Sequence, residues 1–216
     1  MILRVDPLQK IRLQKRVEQA HQDMVSGNLV DAESSFKEIL LETPDYSEAM
    51  HGLGVLYLAQ GKYDVAEPWL RKAVEAEPEN PVNWNDLGEL LRSIGRIDEA
   101  VEAYKRAIDL APEMTAVINN LAVGLAGQGK TEEAKAYFYK AIDIDPNDPH
   151  PYNNLGVLLE NVGESDEALI CYEKAVMSKY DFGEAKQNYV DLLQRHPDKL
   201  LESMGRLLKE AKTYLK

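Results

Sequence analysis

The chain has 216 residues, a hydrophobic fraction of 44% and a net charge of −12, values that suit one sizeable soluble domain or two small ones with an ordinary core. Residues 1–19 carry five Lys/Arg against two Asp/Glu and residues 198–216 carry five against three, so the segment between them holds −17 and repels phosphate backbones, which argues against nucleic acid as a partner. Cys171 is the single cysteine, which excludes an internal disulfide, a Cys-x-x-Cys redox pair and a thiolate-rich zinc site and favours a reducing compartment.

At the N-terminus, Met1-Ile2-Leu3 runs at once into Arg4, Asp6 and Pro7, without the apolar stretch of a signal peptide. A cytoplasmic location is the expectation. Residues 1–12 read as a flank. From there Gly27, Gly61, Gly95, Gly129 and Gly163 recur every 34 residues, framing repeats 13–46, 47–80, 81–114, 115–148 and 149–182, with a last window at 183–216. Within the frame position 20 is always alanine (Ala32, Ala66, Ala100, Ala134, Ala168), and position 24 is large and apolar (Phe36, Leu70, Tyr104, Phe138, Tyr172). Position 7 gives Leu53, Leu87, Leu121 and Leu155, followed by Gly54, Gly88, Ala122 and Gly156. Pro44, Pro78, Pro112 and Pro146 occupy position 32, where the fifth repeat has Tyr180.

A helix-turn-helix repeat explains each column. Glycine stops the first helix because it enters the left-handed conformation of a C-terminal cap without steric cost. Asp98-Glu99, Glu132-Glu133 and Asp166-Glu167 then suit the positive end of a second helix. Small residues at positions 8 and 20 let the two helices approach, and bulky ones at 7, 11 and 24 fill the seam. Proline at 32 closes the pair. Pro68, inside a second helix, is expected to remove one backbone bond and bend it.

Both ends depart from this pattern. In the first repeat Arg16, Gln19 and Asp23 stand at positions 4, 7 and 11, which are apolar in most of the others, so that helix is expected to shift, fray or pair with another chain. The last window predicts a helix over 183–195, a break at His196-Pro197 and a final helix with Leu200, Leu201, Met204, Leu207, Leu208, Ala211 and Leu215 along one face, a stripe suited to capping the open end of an array.

The period and its small and large positions resemble the tetratricopeptide repeat family over about 170 residues, and five in-frame repeats make a chance match negligible. The resemblance implies an all-α, right-handed superhelical solenoid of five helix pairs plus a C-terminal capping pair, with the first helices lining a concave groove. The residues themselves establish paired amphipathic helices that bury their apolar faces only by stacking.

No catalytic constellation is visible. His21, His51, His150 and His196 are scattered, and the sequence has no phosphate loop, dinucleotide fingerprint or nucleophile elbow. Cys171 at position 23 and Trp84 and Tyr152 at position 4 read as packing residues. The chain is therefore read as a non-enzyme without cofactor or metal. Asparagine exceeds what packing requires. Position 5 runs His51, Asn85, Asn119, Asn153, Gln187 and position 6 runs Gly52, Asp86, Asn120, Asn154, Asn188, although asparagine is a mediocre helix former. In the family both positions line the groove, and these strings resemble the asparagine ladder of the O-GlcNAc transferase repeat domain. A side-chain amide matches the N–H and C=O of any peptide unit. The implied site is Asn85, Asn119, Asn120, Asn153, Asn154, Asn188, His51, Asp86, Glu89 and Arg92. Hydrogen bonding between neighbouring helices is the alternative use of the same amides.

The family's carboxylate clamp is missing, since Val17 and His21, then His51 and Val55, occupy its positions. Glu18, Glu48, Asp86, Glu89, Glu160, Glu184 and Asp191 outnumber Arg92 and Arg195 on the groove positions, favouring a neutral or basic protein or peptide over an acidic tail. The rival reading is a self-assembling structural protein that docks through the helix around Leu8 to Val25 or through the C-terminal stripe.

Overall fold

All five glycines of the frame adopt left-handed backbone, with φ of 82° at Gly27, 69° at Gly61, 80° at Gly95, 75° at Gly129 and 85° at Gly163. The residue after each one donates its N–H back across the turn, Asn28 to the Asp23 carbonyl, Lys62 to Tyr57, Arg96 to Leu91, Lys130 to Leu125 and Glu164 to Leu159, at 2.8–3.0 Å. This is the six-to-one bond of a Schellman cap. The sequence period is therefore a period of helix ends.

The structure is a computed structural model that describes residues 7–178 and 182–206. Among these residues the chain is all-α. Its helices are α1 (Pro7–Val25), α2 (Leu29–Glu42), α3 (Ser47–Ala59), α4 (Tyr63–Ala76), α5 (Pro81–Ser93), α6 (Ile97–Leu110), α7 (Thr115–Gly127), α8 (Thr131–Ile144), α9 (Pro149–Asn161), α10 (Ser165–Ser178) and α11 (Gly183–Arg195). A 3-10 turn, Pro197–Lys199, follows, and residues 200–206 are helical. The chain divides into two compact units, Met1–Pro112 and Glu113–Lys216. The N-terminal unit holds α1 to α6 and the C-terminal unit α7 to α11.

Within each unit the two helices of a repeat pack together, and first helices adjoin, α1 with α3 and α3 with α5 in one unit, α7 with α9 and α9 with α11 in the other. The seam is tight. A Cβ added at Gly88 would stand 2.6 Å from the Tyr104 ring, at Gly156 2.6 Å from Tyr172, and at Gly54 2.6 Å from Leu70, so the small position 8 exists to admit the large position 24. Ala32, Ala66, Ala100, Ala134 and Ala168 are all fully buried. Asp98 and Glu99, Glu132 and Glu133, and Asp166 and Glu167 lie in the first turns of α6, α8 and α10. Asn80 and Asp148 cap α5 and α9 by accepting the N–H of Val82 and His150 at 3.0 Å, ahead of Pro81 and Pro149, whose missing N–H is harmless there.

The first helix keeps the frame and extends upstream of it, so residues 7–12 of the expected flank form its opening turns. Leu13, Val17 and Ala20 are buried in the stack, and Arg16 at an expected apolar position reaches out to Glu42 at 2.8 Å. Pro68 does not interrupt α4, which runs unbroken to Ala76. At the other end α11 and the break at His196 lie where the sequence placed them. In the described part of the final helix, Leu200, Leu201 and Met204 are exposed while Ser203 is fully buried. Contact is polar: Glu173, buried on α10, takes the Arg206 guanidinium at 2.9 and 3.0 Å and the Ser203 hydroxyl. Leu207, Leu208, Ala211 and Leu215 lie outside the described residues.

Candidate functional site

Adjoining first helices bring position 5 of one repeat against position 6 of the next. In the C-terminal unit Asn154 donates a side-chain N–H to the Asn119 side-chain carbonyl at 3.0 Å, and Asn188 does the same to Asn153 at 2.9 Å. Asn153 in turn donates to Glu184 at 3.1 Å. The N-terminal unit repeats this relation with different chemistry: the Nε2–H of His51 donates to Asp86 at 2.6 Å, and Asn85 donates to the other Asp86 oxygen at 2.9 Å.

The two asparagine columns thus differ. Asn85, Asn119 and Asn153 are buried, at 9%, 8% and 1% exposure, with Asn119 and Asn153 each accepting from the following repeat and Asn85 donating to the adjacent Asp86. Asn120, Asn154 and Asn188 are half-buried. Asn154 and Asn188 each spend one side-chain N–H on the preceding repeat, and their side chains make no other hydrogen bond among the described residues. Each keeps a carbonyl and a second N–H for a partner.

His51, Asp86, Glu89 and Arg92 are also half-buried, on the α3–α5 face. Arg92 lies beside the Tyr104 hydroxyl, which is fully buried without a well-formed hydrogen bond. Burial pushes that phenol up to about 12, against the lowering effect of Arg92. In the fifth repeat the equivalent Tyr172 hydroxyl donates to Glu160 at 3.0 Å, and Glu160 also pairs with Arg195. Glu160 and Arg195 are therefore engaged with each other. The Cys171 thiol, pushed up to about 12 by burial and then by Glu167, is protonated at neutral pH. Trp84 and Tyr152 are half-buried rather than core, and the Trp84 indole N–H donates to the Pro78 carbonyl at 2.8 Å. Among the described residues no cluster of His, Cys, Asp and Glu could hold a metal ion, and no helix is long and apolar enough to cross a membrane.

Two polar sites were missed from sequence. Asn83, 2% exposed, donates to the Ala73 carbonyl at 3.1 Å and to Ser47 at 3.3 Å. It was visible as the one asparagine in a column that otherwise reads Lys15, Ala49, Val117, Pro151 and Ala185. Glu173 was visible as the one acid in a column that otherwise reads Lys37, Arg71, Lys105 and Tyr139.

Family profiles described as tetratricopeptide repeat match residues 25–91, 85–149 and 137–170, together spanning α2 to the first turns of α10. The chain belongs to the tetratricopeptide repeat family. Among solved structures this repeat protein is similar to YrrB, described as a tetratricopeptide repeat protein with an unusual peptide-binding site, at 23% identity and a TM-score of 0.63 over 80% of this chain and 89% of that one. It is similar to TTC0263, a thermophilic repeat protein of Thermus thermophilus, at 22% identity and a TM-score of 0.71, over 84% and 99%. PilF of Pseudomonas aeruginosa matches at 20% identity and a TM-score of 0.75, over 94% and 91%. No curated protein sequence matches the chain. At these identities the tetratricopeptide repeat fold is what the neighbours share.

Proposed function

We propose that the protein is an interaction scaffold, not an enzyme, that holds an extended segment of a partner protein along the face built by its first helices, with Asn120, Asn154 and Asn188 contacting the partner's main chain. The supporting observation is the restraint of Asn154 and Asn188, each fixed through one N–H by the buried amide of the preceding repeat. A pre-oriented amide loses little rotamer freedom when it binds. YrrB, whose fold this chain shares, is described as carrying a peptide-binding site, which fits the same use. Three amides making up to two bonds each, at about 1 kcal/mol net per bond, supply about 6 kcal/mol. Micromolar binding therefore needs side-chain pockets in addition. The acidic body favours a neutral or basic segment.

The test replaces Asn120, Asn154 and Asn188 together by alanine. Circular dichroism stays unchanged and capture of the partner that the wild-type protein enriches weakens at least tenfold. Equal capture by the variant rejects the ladder.

One observation favours self-association as a second reading. Leu8 is 74% and Ile11 52% exposed on α1, and a shallow depression joins them to Arg12, Lys15 and Gln19, an apolar and basic surface on a protein of net charge −12. Light scattering at high concentration decides it: a monomer in the wild-type protein removes this reading, and a dimer that dissociates in L8E/I11E supports it.

A further inference from the structure

In the N-terminal unit, where α3 and α5 adjoin, the first-helix face is indented by a recess of about 320 Å³. One wall is apolar, formed by Val55, Leu58 and Ala59 of α3 with the Tyr63 ring at the start of α4. The other is acidic, formed by Asp86 and Glu89, one turn apart on α5. The two carboxylates are not equivalent. Asp86 is immobilised by His51 and Asn85, one on each oxygen. The Glu89 carboxylate has no hydrogen bond or ion pair among the described residues, and Arg92, one turn further along the helix, makes none with it. Behind this wall the Tyr104 ring packs on Gly88, and its buried hydroxyl lies beside Arg92 without a well-formed hydrogen bond.

The geometry points to this recess as a receptor for one long basic side chain, lysine or arginine, of the bound partner. The walls separate the two requirements of such a side chain: a methylene stem lies on apolar surface while its charged head meets carboxylate. A purely apolar side chain would desolvate Glu89 without replacing its water, and an acidic one would meet two like charges. The site rests on reading the first-helix face as a partner-binding face. It lies in the other unit from Asn120, Asn154 and Asn188 and recognises a side chain rather than main chain, so the two stand or fall separately.

The probe is the blocked tripeptide acetyl-Ala-Lys-Ala-amide, titrated to tens of millimolar into the full-length ¹⁵N-labelled protein and read by amide chemical shifts. Saturable shifts confined to the region of Val55, Leu58, Glu89 and Ser93 are expected, with affinity about fivefold lower in E89Q, since a charge-assisted contact is replaced by a neutral one. The norleucine analogue, which keeps the stem and lacks the charge, binds about tenfold more weakly. Absence of saturable shifts, shifts spread over the acidic surface at large, an equal response to norleucine, or indifference to E89Q each overturns the site. Substituting Asn120, Asn154 and Asn188 by alanine leaves the lysine titration unchanged; if that variant also captures partner normally, the ladder falls and the recess remains.

Discussion

Asn154 donates a side-chain N–H to Asn119 across the junction between two repeats, 35 residues apart in sequence and 3.0 Å apart in space. The bond links a buried anchor to a half-exposed amide, which makes opposite demands on the two residues. Removing Asn119 strands the Asn154 donor and opens a small cavity, so N119A should lower stability by about 1–2 kcal/mol. Asn153 holds both Asn188 and Glu184, and N153A should cost about 2–3 kcal/mol. N154A opens no buried cavity but leaves the buried Asn119 carbonyl without its donor, and should cost about 1 kcal/mol. Urea denaturation of the three variants checks the order, and an N154A as damaging as N153A would contradict it.

Two tyrosines at the same repeat position should respond in opposite directions to loss of their hydroxyl. Tyr104 is fully buried with no well-formed hydrogen bond, whereas Tyr172 donates to Glu160 at 3.0 Å. Y104F relieves the burial of an unpaired polar group and should be neutral or stabilising by up to about 1 kcal/mol, while Y172F should cost about 1–2 kcal/mol because it strips a partner from a charged acceptor. The difference in thermal midpoint between the two phenylalanine variants is the readout.

The helix frame was legible because each of its columns answers to one local cause: a left-handed turn at Gly27 and its equivalents, a close approach at Gly88 and Gly156, a stop at Pro44 and its equivalents. The split of the amides into buried Asn119 and Asn153 and half-exposed Asn154 and Asn188 was not, since adjacent asparagines on one helix differ only in their angle to the neighbouring repeat, which no single repeat encodes. The extension of α1 upstream of the frame escaped for a related reason. Residues 7–12 carry no repeat signal, and Leu8 and Ile11 stay exposed, so nothing in their pattern points to the stack.

Glu173 should hold the chain's last described helical segment to α10. Its carboxylate is nearly buried and is satisfied chiefly by Arg206, itself partly exposed, with side-chain exposures of 7% and 31%. R206M leaves an uncompensated carboxylate in a poorly hydrated site and should cost about 2–3 kcal/mol, discounted from the fully buried case because the guanidinium is partly screened. Hydrogen exchange should show the effect locally, as faster exchange over residues 200–206 with α7 unchanged. E173Q/R206M, which removes both charges, should recover part of the loss.

The fold should lose stability as pH falls below neutrality, and His21 is the residue to test. It packs edge-on to Phe36 with ring centroids 5.3 Å apart, and burial first and the charge of His51 second lower its pKa from the ordinary 6.5. A histidine with a depressed folded pKa takes up its proton more readily in the unfolded chain. Between the two values the unfolded state binds more protons, so unfolding free energy falls as pH drops through 6.5 toward the folded value and is flat above it. The carboxylates act elsewhere: Glu33, held below its ordinary 4.5 by hydrogen bonds from Lys37 and Tyr57, loses its contribution only at more acidic pH. H21Q, which cannot be protonated, should therefore flatten the urea midpoint between about pH 7 and 5.5 while leaving the steeper loss below 4.5 in place. An unaltered slope near pH 6 in H21Q would assign that loss to another histidine.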